Sequence, residues 1–404
     1  MFESFFPKPK LFVISAAVWA LVAILLWHFV VRDWAVPADT AEGAEGEADR
    51  VFLYLYNFVC YAAFAVYWMA QSNHRWARWS VGGSALIIFA IWFQVQLDVM
   101  INEWFGEFYN TVQVALAEPG AVEAADYYRQ LFTFLQIALV FIFVAVVSAF
   151  FTSHYVFRWR TAMNDRYVAL WPRIRHIEGA SQRIQEDTMR FAAIMEGLGS
   201  RFIDSIMTLL AFLPILWGLS SYVTELPIIG AVPQALVFVA IIWSVVGTTL
   251  LALAGYRLPG LEFRNQRVEA AFRKELVLGE DKEDRAQPPT LNELFSNVRR
   301  NYFRLYLNYL YFNIARYGYL QAGVILPYIA LGPTIIAAGF TLGVMQQIIR
   351  AFGRVENSFQ FLVNSWTTIV ELMSIYKRLA AFERAIAGDE QAAIEFETMR
   401  TSES

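Results

Sequence analysis

The chain has 404 residues, of which 57% are apolar and only 17% are charged, and its mean hydropathy is +0.41. This composition is too hydrophobic for an ordinary soluble protein of this length and predicts an all-α membrane protein. The formal net charge of −4 gives no indication of a nucleic-acid partner. The single cysteine, Cys60, excludes an intrachain disulfide and a cysteine metal site within these residues.

The first apolar segment follows Lys8 and Lys10. Its length of about 21 residues exceeds the apolar core of a signal peptide, and no small-residue cleavage site follows it. We therefore interpret it as an uncleaved first span.

Apolar segments long enough to cross a hydrocarbon core of about 30 Å predict about eight transmembrane helices. They lie at 11–31, 51–70, 81–101, 130–153, 203–222, 233–254, 306–329 and 333–350. If both termini are cytoplasmic, the inner segments carry 28 Lys and Arg residues and the outer loops carry 3. This asymmetry predicts a multi-pass membrane protein with both termini in the cytoplasm.

Arg316 is then the one basic residue inside a span, about a third of the way through the seventh. An unpaired cation is costly at that depth. Three interpretations stay open: Arg316 reaches the inner headgroups, pairs with a carboxylate, or contacts substrate.

Two polar segments, residues 155–202 and 255–305, hold 18 of the 32 Lys and Arg residues. We call them the first and second arm. If each folds as two antiparallel cytoplasmic helices, it extends roughly 35 Å from the bilayer. The acidic outer loop at 32–50 is predicted to be a mobile tether, and residues 389–404 a flexible tail.

Acidic residues are concentrated in these arms. They are Glu186, Asp187 and Glu196 in the first arm and Glu262, Glu269, Glu275 and Glu280 in the second. If the second group lies on one helix, Glu262, Glu269 and Glu280 share a stripe, and Glu275 lies off it. Neighbouring basic residues favour a solvated helix with ion pairs. Carboxylates facing a partly desolvated cavity would instead take up protons near neutral pH.

Motifs for other chemistry are absent from the sequence. There is no Gly-Lys pair and hence no phosphate-binding P-loop, and the four histidines lack metal-ligand spacing. Neither a Gly-x-Ser-x-Gly elbow nor a His-Glu-x-x-His helix occurs. We therefore expect a protein that is not an enzyme, with no catalytic residue, no metal site and no cofactor.

The segment Gly339-Phe-Thr-Leu-Gly343-Val-Met-Gln346, continuing to Ser365, resembles the last membrane helix of half-size ABC exporters of the peroxisomal type. Asn102-Glu-Trp104 resembles the exit of their first helix. In this register, residues 81–388 form an exporter-like body of six helices, and the arms are its intracellular loops. Residues 1–80 form an additional N-terminal helix pair. Gly339 and Gly343 allow close helix packing, which we expect inside one subunit rather than against a partner helix.

A closer resemblance is to the SbmA/BacA peptide transporters, and it covers essentially the whole chain outside the loop at 32–50 and the tail. It is carried by Phe5-Phe6-Pro7-Lys8-Pro9, Ser153 to Asn164, His176-Ile-Glu-Gly-Ala180, Leu258 to Phe263, Asn265 to Ala271 and Asn364 to Thr368.

This resemblance implies a homodimer in the bacterial inner membrane that imports peptides and peptide-like antibiotics with the proton gradient, without ATP or a bound ATPase. The family is linked to uptake of antimicrobial peptides, microcins and bleomycin, and in rhizobia to symbiosis with legumes. Its implied partners are a second copy, membrane lipids, substrate and protons. By local motif, its acidic residues correspond to the proton-coupling candidates Glu186, Glu196, Glu269, Glu275 and Glu280. Arg316, Glu262 and Asp187 remain candidates for the substrate cavity or for ion pairs.

Two other functions stay open at this point. The chain could be the transmembrane subunit of an ABC transporter that uses a separate ATPase, which the exporter-like last helix favours. A membrane scaffold or lipid-modifying enzyme of the cell envelope is the third interpretation.

Overall fold

The computed structural model describes residues 1–31, 44–177, 180–223, 225–227, 229–282 and 284–387. Most of these residues are helical, and no strand of a sheet occurs among them. The tail at 389–404 and most of the tether predicted at 32–50 lie outside the described residues. The end of that loop belongs to a helix that begins at Ala44.

Ten helices organise the described chain. They are α1 (Pro9–Leu26), α2 (Ala44–Gln71), α3 (Ser84–Ala117), α4 (Ala124–Ile174), α5 (Thr188–Leu219), α6 (Ala235–Gly255), α7 (Leu258–Asp281), α8 (Pro288–Ile336), α9 (Leu342–Phe359) and α10 (Trp366–Ile386). Shorter helical turns at Trp27–Val31, Arg78–Gly83, Ala180–Gln182, Arg183–Asp187, Ser220–Tyr222 and Phe361–Asn364 extend or link them.

Seven helical segments of the described chain are long and apolar enough to cross a membrane. Many of their large apolar side chains are exposed, for example Phe143 at 68% and Leu253 at 68%. Exposed apolar surface on this scale is costly in water and suits contact with lipid. The prediction of an all-α membrane protein is confirmed.

The span predicted at 333–350 does not form one helix. α8 ends at Ile336, Ala338 has a φ of 50°, and α9 begins after Thr341, whose hydroxyl accepts from the Val344 amide at 3.3 Å. A left-handed residue interrupts helical hydrogen bonding, and a threonine hydroxyl caps the next helix. Because α9 also carries charged residues, its sequence is less apolar than a typical span.

Two helices are much longer than a membrane is thick. α4 has 51 residues and α8 has 49. At 1.5 Å per residue each is about 75 Å long, more than twice the hydrocarbon core. Each of these helices therefore contains both a span and one half of an arm.

The first arm is an antiparallel helical hairpin. Ser153 on α4 contacts Glu196 on α5, whereas Trp159, further along α4, packs on Phe191, which lies earlier on α5. The two aromatic ring centroids are 5.4 Å apart. As residue numbers rise on α4 they fall on α5, so the predicted antiparallel pair is confirmed.

The second arm has the same construction from α7 and α8. Tyr309 contacts Glu262 near the start of α7, and Phe295 packs on Phe272 near its end, with ring centroids 5.7 Å apart. Asn301 is 4% exposed. Its side-chain amide donates to Asn265 Oδ1 at a distance of 3.2 Å. A buried amide pair of this kind fixes the register of two helices, because an unpaired amide would be costly.

Two compact units interleave along the chain. The first comprises Met1–Trp104, Ala124–Met207 and Ser374–Asp389, and the second comprises Phe105–Glu123, Thr208–Met373 and Glu390–Ser404. The predicted boundary between an additional helix pair at 1–80 and a body at 81–388 stays a prediction.

In the first unit, an apolar cluster joins α1, α2 and the turn before α3 through Phe12, Trp68 and Val81. Phe5 is fully buried and stacks on Trp159 at 5.8 Å, with ring planes 11° apart. Aromatic pairs of this size contribute more than the area they bury. The N-terminal segment is thereby packed on the first arm.

In the second unit, Gly343 at the start of α9 packs against Gly106 and Asn110 of α3. Its amide donates to Asn110 Oδ1 at 3.0 Å. The expectation of close packing inside one subunit is confirmed for Gly343. Gly339 precedes α9 and packs near Thr334 instead, so the two glycines do not share a helix.

Candidate functional site

Asp187 is the most deeply buried acidic candidate, and it forms ion pairs. Its side chain is 3% exposed and contacts Arg183 at 2.7 Å and Arg378 at 3.0 Å. Removing a carboxylate from water is costly unless cations compensate its charge. Two guanidinium groups do so here, which gives Asp187 a structural role between the first arm and α10.

A second contact joins the first arm to α10 in the same unit. The Tyr167 hydroxyl donates to Glu383 Oε1 at 3.0 Å. Burial raises the pKa of Tyr167, and the negative charge of Glu383 raises it further. Tyr167 therefore remains a hydrogen-bond donor over the physiological pH range.

Glu186 and Glu275 also have cationic partners. Glu186 contacts Arg190 at 2.8 Å one helical turn away. Glu275 is 15% exposed, contacts Arg285 at 2.8 Å and accepts from the Ala286 amide at 3.1 Å. Each of these carboxylates therefore has a guanidinium group as its partner. Glu275 is thereby tied to the link between α7 and α8.

Glu196 has a neutral partner instead. The Ser153 hydroxyl donates to Glu196 Oε1 at 2.5 Å, and Glu196 is partly buried. Ser153 ends the predicted fourth span, and Glu196 lies two turns before the predicted fifth. This carboxylate lies where the first arm meets the membrane, and no described cation forms an ion pair with it.

Glu262 resembles Glu196 in its surroundings. It is partly buried and accepts from the Tyr309 hydroxyl at 2.9 Å. Tyr309 belongs to the predicted seventh span. The second arm therefore also has a carboxylate bound by a neutral hydroxyl close to its membrane end.

The other two glutamates of the predicted stripe form no hydrogen bond or ion pair with a described residue. Glu269 is partly buried and Glu280 is exposed. Both lie on α7, which confirms that residues 262–280 form one helix. Glu262 and Glu269 are seven residues apart, about 10 Å along the axis, so each has its own surroundings.

Arg316 is exposed on α8 and makes no ion pair within the described part of the chain. The pairing considered for it is therefore absent among these residues. Nor do the described residues contain a group of three or more His, Cys, Asp or Glu side chains that could hold a metal ion.

Sequence reasoning missed one acidic residue, Glu356 on α9. Its Oε1 accepts from Trp243 Nε1 at 2.9 Å and from Gln360 Nε2 at 2.8 Å. The same amide of Gln360 donates to the Tyr319 hydroxyl at 2.9 Å, and that hydroxyl donates to the Trp243 carbonyl at 3.2 Å. We call these four residues the Glu356 cluster; Trp243 lies on α6, Tyr319 on α8, Glu356 on α9, and Gln360 directly after α9.

Two glycines make room for the Glu356 cluster. A Cβ at Gly323 would lie 2.9 Å from Glu356 Oε1 and 3.4 Å from Trp243 Nε1. A Cβ at Gly247 would overlap the Tyr319 ring, which stacks on Trp243 at 4.8 Å. The sequence contained one signal for this site, because Glu356 follows the predicted eighth span by only six residues.

Helices long enough to cross a membrane, joined by two antiparallel helical arms, define this chain as a polytopic membrane protein. Residues 73–387 match the SbmA/BacA-like family. Because this match covers most of the chain, including both arms, the chain belongs to the SbmA/BacA-like family.

Curated relatives are more distant and longer. The chain is 24% identical over 344 residues to the inner membrane ABC transporter ATP-binding protein YddA of Escherichia coli, covering 79% of this chain and 59% of that protein. It is 22% identical over 337 residues to an uncharacterized ABC transporter ATP-binding protein of Synechocystis, covering 78% of this chain and 48% of that protein. The chain thus spans about half the length of the curated relatives it matches.

Proposed function

We propose that this protein imports peptides and peptide-like antibiotics across the bacterial inner membrane and is driven by the proton gradient. It works as a homodimer with both termini in the cytoplasm, and it is not an enzyme. The membrane helices, the two arms and the membership of the SbmA/BacA-like family support a transporter. The choice of protons as the energy source rests on the carboxylates of the arms.

The observation that carries this proposal is the contact between Glu196 and Ser153. A carboxylate held by a guanidinium group keeps its charge, whereas one held by a hydroxyl can gain a proton without leaving a cation unpaired. Glu196 and Glu262 are of the second kind, and both lie near the membrane end of an arm. A proton on either of them leaves no guanidinium group without its anion, whereas a proton on Asp187, Glu186 or Glu275 does.

Protonation of Glu196 changes its hydrogen bond with Ser153. In the ionised state the Ser153 hydroxyl donates to the carboxylate. A protonated Glu196 carries its own donor, so the hydrogen bond must reverse or break. The hairpin of α4 and α5 therefore has two arrangements at its membrane end. Proton and peptide drive transport if they favour these arrangements unequally.

A reconstitution experiment tests the proposal. Full-length protein in liposomes is given a labelled antimicrobial peptide outside, with the outer solution more acidic than the interior and no ATP. We expect the peptide to accumulate and an uncoupler to abolish accumulation. Accumulation that needs ATP, or that is unchanged by the uncoupler, contradicts the proposal.

A second candidate function is the membrane part of an ATP-driven transporter. The names of the curated relatives favour it, since they describe ABC transporter ATP-binding proteins. This function predicts that an ATPase copurifies with the chain and that uptake in vesicles stops when ATP alone is removed. Proton-driven accumulation by the isolated chain would eliminate it.

A further inference from the structure

The Glu356 cluster lies at membrane depth. Trp243 is near the middle of the predicted sixth span, and Tyr319 is near the middle of the predicted seventh. Glu356 accepts a hydrogen bond from Trp243. The side-chain amide of Gln360 donates both to Glu356 and to the Tyr319 hydroxyl. The carboxyl group therefore lies beside the midpoints of two membrane helices.

The groups that face Glu356 are neutral. α6 carries no ionisable side chain at all. On α8, Tyr319 is the titratable residue that faces it, and Arg316, three residues earlier, is exposed. On α9 itself, the Arg350 guanidinium lies over the Phe105 ring at 5.0 Å. Among the described residues, the side chains that interact with the Glu356 carboxylate are Trp243, Gln360 and Tyr319, and all three are neutral.

A carboxylate inside a membrane protein normally has a nearby cation, a water-filled surrounding or a bound proton. Two donors converge on Glu356 Oε1, but both come from uncharged groups. Glu356 is partly buried rather than sealed. We propose that Glu356 is a proton-binding site of the transport cycle, additional to the carboxylates of the arms.

The hydrogen bonds around Glu356 give its proton a structural effect. Ionised Glu356 accepts from Trp243 on α6 and from Gln360 beyond α9. A proton on the carboxyl adds a donor and weakens it as an acceptor. Gln360 is 3% exposed and can satisfy its amide through Tyr319 instead. Proton binding would thus shift the contact between α6, α8 and α9.

This inference rests on the proposed proton-driven import, so its test needs a readout that is independent of transport. Infrared difference spectra of purified full-length protein are recorded during a pH titration. Wild type should show the carbonyl band of a protonated carboxylic acid that is lost in Glu356→Gln. Glu118→Gln, which changes an exposed glutamate with no described partner, should keep the band. If Glu356→Gln retains every titrating carboxyl band of wild type, the proposal is wrong.

Transport by the same variant supplies the second readout. We expect gradient-driven accumulation by Glu356→Gln to fall about tenfold or more, because an amide cannot exchange a proton and its coupling to peptide is lost. Undiminished accumulation by this variant overturns the proposal.

The two proposals fail in different ways. If wild type does not accumulate peptide with a proton gradient, the proposed function fails, whatever the spectra of Glu356→Gln show. If wild type does accumulate peptide and the variant matches it, only the role of Glu356 fails.

Discussion

The carboxylate of Asp187 and the guanidinium of Arg378 meet at 3.0 Å although 191 residues separate them in the chain. Asp187 lies in the turn between the two helices of the first arm, and Arg378 lies on α10. A second arginine, Arg183, contacts the same carboxylate. The tip of the first arm is therefore fixed to α10 by a buried ionic contact.

We expect Asp187→Asn to destabilise the protein strongly. It leaves two guanidinium groups without their anion, and breaking a buried ion pair costs about 3–5 kcal/mol. Thermal unfolding in detergent measures the effect as a lower melting temperature. Asp165→Asn is the matched control, since Asp165 pairs with a highly exposed Arg75 and such pairs contribute about 1 kcal/mol or less. Equal shifts for the two variants would contradict this interpretation.

Glu275 has a comparable role in the second arm. It binds Arg285 and the amide of Ala286, whose φ of 52° lies in the left-handed region. A non-glycine residue in that region costs about 1–2 kcal/mol and needs surrounding contacts to hold it.

We expect Glu275→Ala to loosen the link between α7 and α8, because both hydrogen bonds are lost. Limited proteolysis should then cut at residues 282–287 at least several times faster than in wild type, as expected for a loss of about 1.5–3 kcal/mol. Glu280→Ala, on the exposed end of the same helix, should leave the rate unchanged. A cleavage rate that is unchanged in Glu275→Ala would show that other contacts hold the link.

Sequence patterns were sufficient to predict seven membrane helices and both arms, because long apolar segments and concentrated charge report directly on lipid and water. They were wrong for the eighth span, since residues 333–350 divide between the end of α8 and α9. α9 carries Arg350, Arg354 and Glu356, so its hydropathy resembles that of a helix in water. Its apolar face and its packing on α6 and α8 become visible only in three dimensions.

The roles of the acidic residues also depended on contacts that sequence cannot give. A helical stripe placed Glu262, Glu269 and Glu280 together and set Glu275 apart. The structure separates these residues by partner instead: Glu275 binds an arginine, and Glu262 binds a tyrosine hydroxyl. Tyr309 lies on α8, and Arg285 lies in the link before α8. A periodic pattern within α7 cannot predict contacts with either residue.

Glu196 is the arm residue whose neutralisation should affect transport most. We expect Glu196→Gln to reduce gradient-driven peptide accumulation about tenfold or more, since an amide cannot exchange a proton and a coupling of 1–3 kcal/mol is lost. Accumulation of labelled peptide in liposomes measures the effect.

Two comparisons make this prediction specific. Glu186→Gln removes a carboxylate of the same arm that already has a cationic partner, Arg190, and we expect a smaller loss. Ser153→Ala removes the donor to Glu196 but keeps the carboxyl group, so we expect accumulation to persist in this variant. If Glu186→Gln abolishes accumulation and Glu196→Gln does not, the assignment by hydrogen-bond partner is wrong.

Gly343 tests the packing of α9 on α3. A Cβ at this position would overlap the Gly106 carbonyl oxygen and the Asn110 side chain, and a backbone oxygen cannot rotate away. We expect Gly343→Ala to cost about 1–3 kcal/mol through overpacking and to lower the melting temperature. Gly353→Ala on the same helix is the matched control, because nothing lies within 4 Å of the added Cβ. Alanine there should be neutral or slightly stabilising, by up to about 1 kcal/mol, since glycine is the weaker helix former. Equal melting temperatures for the two variants would mean that α9 can move away from α3 without loss.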